Sequence, residues 1–197
     1  MSTGPTDASF PYMFWAHTEA FLSPYCLSQS GMPAPDPAVF AQPRLPDLGP
    51  PAAEALPALE GRLAELFGVD PSRVLVTPGA SGAMFVAAMR LFPGARVVSE
   101  LPSYEPFRAL PRHFAEGLRL VERKHEQGWR FPAENVAREL AGASPGHVFL
   151  SSPHNPTGHV LESKQVVELA ELARSAGGPS EGVGSAFCDP AIGPQCR

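Results

Sequence analysis

Apolar residues recur along this chain with two alternating periods, and the alternation predicts a layered α/β fold. Leu56, Leu59, Leu63 and Leu66 repeat at helical spacing, and Gly68 supplies a stop. Asp70-Pro71-Ser72-Arg73 then reads as a turn. Short runs rich in β-branched residues predict strands over Val74–Thr77, Arg96–Glu100, Leu118–Val121 and His147–Ser151. Helical periodicity predicts helices over Ala80–Leu91, Glu105–Phe114, Pro132–Ala141 and Ser163–Ala176. Strands that alternate with helices of this length make a mainly parallel sheet with flanking helices. The helices differ in kind. In Ser163–Ala176 the residues Val166, Leu169, Ala170 and Ala173 form one apolar stripe, which predicts a surface helix. Ala80–Leu91 is apolar nearly all round, which predicts burial on most sides.

Both ends depart from this pattern. Residues 1–50 are rich in proline and aromatics, with a short amphipathic stretch at Phe10–Ala16 and an extended loop from Pro33 to Pro51. This segment reads as an arm that packs on the rest of the chain or on a second subunit. Residues 51–177 carry the regular pattern, whereas 178–197 are rich in glycine and proline, poor strand material where the alternation asks for a buried strand. The expectation there is a disordered or aberrant tail, as in a truncated or frameshifted product.

Composition narrows the field. The 197 residues are 44% hydrophobic, enough for a core, and a net charge of −5 disfavours nucleic-acid and anionic-membrane partners. The apolar run Ala83–Met89 is far too short to span a bilayer. Cys26, Cys188 and Cys196 have neither metal-ligand spacing nor an even count, which fits a reduced, cytoplasmic setting. The histidines show no metal spacing either, and His154 reads as a solvated loop residue.

Candidate chemistry sits at three successive strand ends. After Val74–Thr77 comes Pro78-Gly79-Ala80-Ser81-Gly82, a corner whose backbone N–H groups open a helix and suit a phosphate. After Arg96–Glu100 comes Pro102-Ser103-Tyr104, and after His147–Ser151 comes Pro153-His154-Asn155-Pro156-Thr157-Gly158. Taken singly, these are also an ordinary turn, a packing tyrosine and a loop. Together, at one edge of an open sheet, an anion cradle, an aromatic ring and a carboxamide are parts for holding a flat phosphorylated heteroaromatic.

At these residues the chain resembles the class I and II pyridoxal-phosphate-dependent aminotransferases of fold type I. The resemblance runs from about Phe10 to Gly177, and the Asn155-Pro156-Thr157-Gly158 match is its most specific part. It implies a partial large domain at 51–177 and amino-group transfer between an amino acid and a 2-oxo acid, with a homodimer as the assembly. A carbon–sulfur lyase or decarboxylase of the same fold, or a non-catalytic cofactor- or partner-binding fragment, are the rival readings. It also implies that Gly79, Ala80 and Ser81 contact the cofactor phosphate, Tyr104 stacks on its ring, and Asn155 donates to its phenolic oxygen. Gly31 matches a glycine near the substrate carboxylate.

Departures accompany the matches. Asp189 stands at roughly the distance expected of the aspartate that pairs the pyridine nitrogen, but Pro190 and Ile192 break its context. The lysines are Lys124 and Lys164, and neither lies in the serine-rich setting of the family's Schiff-base lysine. No catalytic residue is therefore assigned, and the chain as given is expected to lack turnover.

Overall fold

The computed structural model describes residues 10–22, 25, 36, 53–141 and 145–177. The chain divides into two compact units, Trp15–Thr77 and the remainder. An N-terminal helix, α1, spans Pro11–Thr18, over the stretch that the sequence marks as a short amphipathic arm with little helical period.

Within Trp15–Thr77 the main element is α2, Ala55–Phe67. Gly68 ends it in a left-handed conformation (φ 65°), its N–H donating to the carbonyls of Ala64 and Glu65. Asp70 then caps a one-turn 3-10 helix, its Oδ1 accepting from the Ser72 N–H at 2.8 Å. The strand expected at Val74–Thr77 does not form. Val74 is extended (φ −106°, ψ 129°), but Val74–Thr77 belongs to no ladder and Leu75 is 68% exposed. A β-branched run sets backbone conformation, whereas a strand also needs a hydrogen-bonded neighbour. Here the Val76 N–H donates to Glu60 Oε1 at 3.2 Å.

The second unit holds the sheet. Three strands, β1 (Arg96–Leu101), β2 (Gly117–Glu122) and β3 (Gly146–Val148), pair in parallel in the order β2-β1-β3. Arg96 of β1 aligns with Gly117 on one side and with Gly146 on the other. The third strand is shorter than the apolar run that predicts it. One further bond, Phe149 N–H to the Val98 carbonyl at 2.8 Å, extends its pairing by a residue.

Successive side chains on β1 serve opposite cores, as strand geometry requires. Val98 joins Val121, Phe131, Val136, Leu140, Leu161 and Leu169 on one face, the face of α5 (Ala133–Leu140) and α6 (Ser163–Ser175). Val97 joins Met84, Ala88, Phe107, Leu110 and Phe149 on the other, the face of α3 (Gly79–Leu91) and α4 (Pro106–Phe114). Phe149 anchors the second core, 4.5 Å from the Phe107 ring and 5.3 Å from that of Phe92. From β1 the chain crosses outward to β2 through α4. It then returns through α5 on the opposite face to reach β3. Crossovers in opposite directions need opposite faces if both are right-handed.

The helix α3 corrects one expectation. Only Met84 and Ala88 are fully buried on it, while Phe85, Val86 and Met89 are 46%, 39% and 52% exposed. Its apolar circumference exceeds the single face that the sheet and α4 can cover. The stripe expected on α6 is covered in part: Leu169 is buried and Ala170 and Ala173 are half-buried, whereas Val166 is 50% exposed. No helix among the described residues is long and apolar enough to cross a membrane.

Candidate functional site

The topology creates a crevice before any side chain is considered. β1 and β3 are parallel neighbours, yet β1 leads to α4 on one face and β3 leads to α6 on the other. The connections therefore part at the carboxyl ends of the two strands, the place where open α/β sheets bind ligands. Tyr104 follows β1, and Asn155 lies on the connection from β3 to α6.

These two predicted residues are brought into direct contact. The Tyr104 N–H donates to the Asn155 carbonyl at 3.2 Å. Tyr104 is half-buried beside the Met84–Phe149 core, and its hydroxyl lies 3.5 Å from Met13 Sδ. Asn155 is exposed on a tight turn closed by two bonds of 2.7 Å, Gly158 N–H to the His154 carbonyl and His154 N–H to that of His159. Gly158 has φ 75°, a conformation that strains any residue with a Cβ.

Gly79, Ala80 and Ser81 form the first turn of α3. No side chain caps this terminus and its first turn carries no acid. Gly79 has φ 70°, and a Cβ built on it meets nothing within 4 Å. Open space beside the backbone at a helix N-terminus lets an anion approach. Such a cradle, a half-buried ring and an exposed carboxamide fit a phosphorylated aromatic cofactor. Gly31 and Asp189 lie outside the described residues, as does 178–197. Lys124 is exposed just beyond β2, and Lys164 is exposed in the first turn of α6.

Beneath the two ligand-side loops runs a buried polar network that the sequence reading does not foresee. Glu100, near the end of β1, and Arg123, one residue past β2, are both fully buried. Glu100 Oε2 lies 2.8 Å from Arg123 Nε and 2.7 Å from its Nη2. Arg123 Nη1 donates to the Trp129 carbonyl at 2.9 Å, and the guanidinium sits 5.0 Å from the Phe131 ring centroid. The other carboxylate oxygen, Oε1, accepts from the Ser151 N–H at 2.9 Å and from its hydroxyl at 3.3 Å. Ser151 Oγ in turn accepts from the Asn155 N–H at 3.0 Å. A charge inside an apolar strand run is the signal that could have exposed this network, since buried charges are kept only when paired.

His154 completes it, and its placement corrects the reading as a solvated residue. It is 1% exposed. Nε2 lies 2.8 Å from the Pro102 carbonyl and Nδ1 lies 2.6 Å from Thr157 Oγ1. A carbonyl only accepts, so Nε2 carries the proton and the neutral ring's Nδ1 accepts from the Thr157 hydroxyl. Burial pushes the imidazole pKa below its usual range; Glu100, with Oε1 3.7 Å away, opposes that shift and Arg123 adds to it. The adjacent Glu105, also buried, reaches the arm helix and accepts from the N–H groups of Tyr12 at 2.7 Å and Met13 at 3.2 Å. Tyr104 and Glu105 thus fasten the start of α1 to the same loop.

An open parallel sheet with helices on both faces and a crevice at its carboxyl edge places the chain among the doubly wound α/β folds. The chain belongs to the family described as aminotransferase class I and II, whose model matches residues 49–179. It is 32% identical over 117 residues to a histidinol-phosphate aminotransferase of Haloferax volcanii, covering 57% of this chain and 31% of that protein. It is also 32% identical over 135 residues to a probable N-succinyldiaminopimelate aminotransferase of Mycobacterium tuberculosis, covering 65% and 33%. Among solved structures, a pyridoxal-phosphate-dependent aminotransferase from Streptococcus suis superposes with a TM-score of 0.59 at 27% identity, covering 66% of this chain and 36% of that one. Aspartate aminotransferase from Thermus thermophilus with maleate gives 0.54 at 32% identity, covering 61% and 33%. The chain spans about a third of the length of the curated relatives it matches.

Proposed function

We propose that this chain supplies the phosphate, ring and phenolic-oxygen contacts for pyridoxal 5′-phosphate in an aminotransferase. The substrates of the whole protein would be an amino acid and a 2-oxo acid. The observation that carries this reading is the Tyr104–Asn155 bond across the crevice between β1 and β3. It ties together the backbones of the two loops that carry the ring and the carboxamide, at the edge where open α/β sheets bind ligands. When bound, the cofactor acts as an electron sink for bonds at the substrate α-carbon. The residues of this chain bind and orient it. The N–H groups of the α3 first turn and the Ser81 hydroxyl take the phosphate, the Tyr104 ring takes the flat face, and the Asn155 amide donates to the ring oxygen. Stacking of this kind adds about 0.5–1.5 kcal/mol beyond area burial.

The same reading includes a homodimer in the cytoplasm. Exposed apolar side chains on α3, Phe85, Val86 and Met89, favour a covering partner. Residues 51–177 would be the cofactor-binding part, behind an N-terminal arm. The test is titration of the purified chain with pyridoxal 5′-phosphate, followed by quenching of its aromatic fluorescence. Tyr104→Leu and Asn155→Ala should each weaken binding several-fold, and Ser81→Ala less so. Saturable binding that ignores all three substitutions would refute the assignment.

A further inference from the structure

We propose that His154 is the positioning residue that holds the Tyr104 and Asn155 loops in mutual register. This rests on the cofactor reading of those two loops. Three observations converge on it. The residue is buried at 1% exposure although it sits beside exposed Asn155. Its two ring nitrogens are both engaged, and by different loops. Nε2–H donates to the Pro102 carbonyl, two residues before Tyr104, whereas Nδ1 accepts from Thr157 inside the Asn155 turn. The Tyr104 N–H to Asn155 carbonyl bond then closes a second tie between the same segments.

A single bond between two loops leaves a hinge, and two ties at separate points remove it. The Glu100 carboxylate is the floor of the arrangement. It holds Ser151, which holds the Asn155 N–H, and its Oε1 lies 3.7 Å from His154 Nε2. Glu100 is anchored to Arg123, so the ends of all three strands bear on the placement of one turn. His154 touches neither ring nor phosphate in this scheme. It acts through the backbone, by keeping the face of Tyr104 and the amide of Asn155 at a fixed separation before any ligand arrives.

The proposal singles out one atom, the Nε2–H donor, and so predicts a specific rescue. Glutamine can place an amide N–H near the Nε2 position, and leucine offers no donor. Amide hydrogen exchange on the full chain, without ligand, should show protection at Tyr104 falling at least tenfold in His154→Leu. Protection of Val97–Ser99 in β1 should stay within about threefold, and His154→Gln should restore Tyr104. Titration with pyridoxal 5′-phosphate should follow the same order, with leucine at least tenfold weaker and glutamine near the parent. If His154→Leu does not fold, Thr157→Val, which removes the Nδ1 partner together with a 3.4 Å acceptor of the His159 N–H within the same turn, must loosen Tyr104 without loosening β1. Unchanged protection at Tyr104, a uniform loss across β1, or no rescue by glutamine would each overturn the proposal. If the parent chain fails to bind the cofactor, the proposed function falls, while the exchange arm still decides the role of His154.

Discussion

Breaking the Glu100–Arg123 pair from one side should cost a large fraction of the stability of this fold. Both side chains are fully buried and each is held by two partners: Arg123 by Glu100 and the Trp129 carbonyl, Glu100 by Arg123 and Ser151. Arg123→Met strands a carboxylate in the protein interior, and Glu100→Gln strands a guanidinium. Removing one member of such a pair typically costs about 3–5 kcal/mol, because the desolvation penalty of the other is no longer offset. Against a domain stability of about 5–15 kcal/mol this is decisive. The double variant Glu100→Gln/Arg123→Met keeps an acceptor for the Ser151 N–H and leaves no buried charge. It should cost little more than either single change, giving a coupling energy of at least about 2 kcal/mol. Urea unfolding followed by circular dichroism measures all three, provided the m-value is unchanged. Single variants that cost under about 1 kcal/mol, or strictly additive effects, would refute the reasoning.

Two further outcomes follow from the packing and from the desolvated imidazoles, one partly and one fully buried. A Cβ at Gly146 would meet Leu140 Cδ2 at 2.7 Å and Ala176 Cβ at 3.0 Å, so Gly146→Ala should destabilise by about 1–3 kcal/mol in the same assay. Burial lowers the pKa of both His147 and His154 from the ordinary 6.5, so the unfolded chain takes up protons first as pH falls. Their stabilising contribution is therefore complete above pH 6.5 and is lost as pH falls toward the folded values; a midpoint in urea that is flat between pH 8 and 5 would contradict it.

Much of the local structure was legible in the sequence because it is decided within a few residues. The leucine period ending at Gly68, the Asp70 cap, the turn that Gly158 closes and the bounds of α4, α5 and α6 each follow from side chains and dihedrals close at hand. The alternation of strand and helix likewise implied a parallel sheet. What the alternation could not supply was strand pairing, since a ladder depends on neighbours distant in sequence. That is why Val74–Thr77, as apolar as any strand here, stays outside the sheet while Arg96–Leu101 takes its centre. Burial was decided in the same way. The composition of α3 asked for cover on most sides, yet one face of it is covered. His154 reads as a solvated loop residue and Glu100 and Arg123 carry no expected role, yet the three meet beneath two loops because three parallel strands end together. Tyr104 and Asn155 were nameable from their motifs, but their contact exists only because β3 lies beside β1 rather than beside β2. Local chemistry is written in short stretches of sequence, whereas the free energy of burying a charge or pairing a strand depends on which distant segments arrive at the same place.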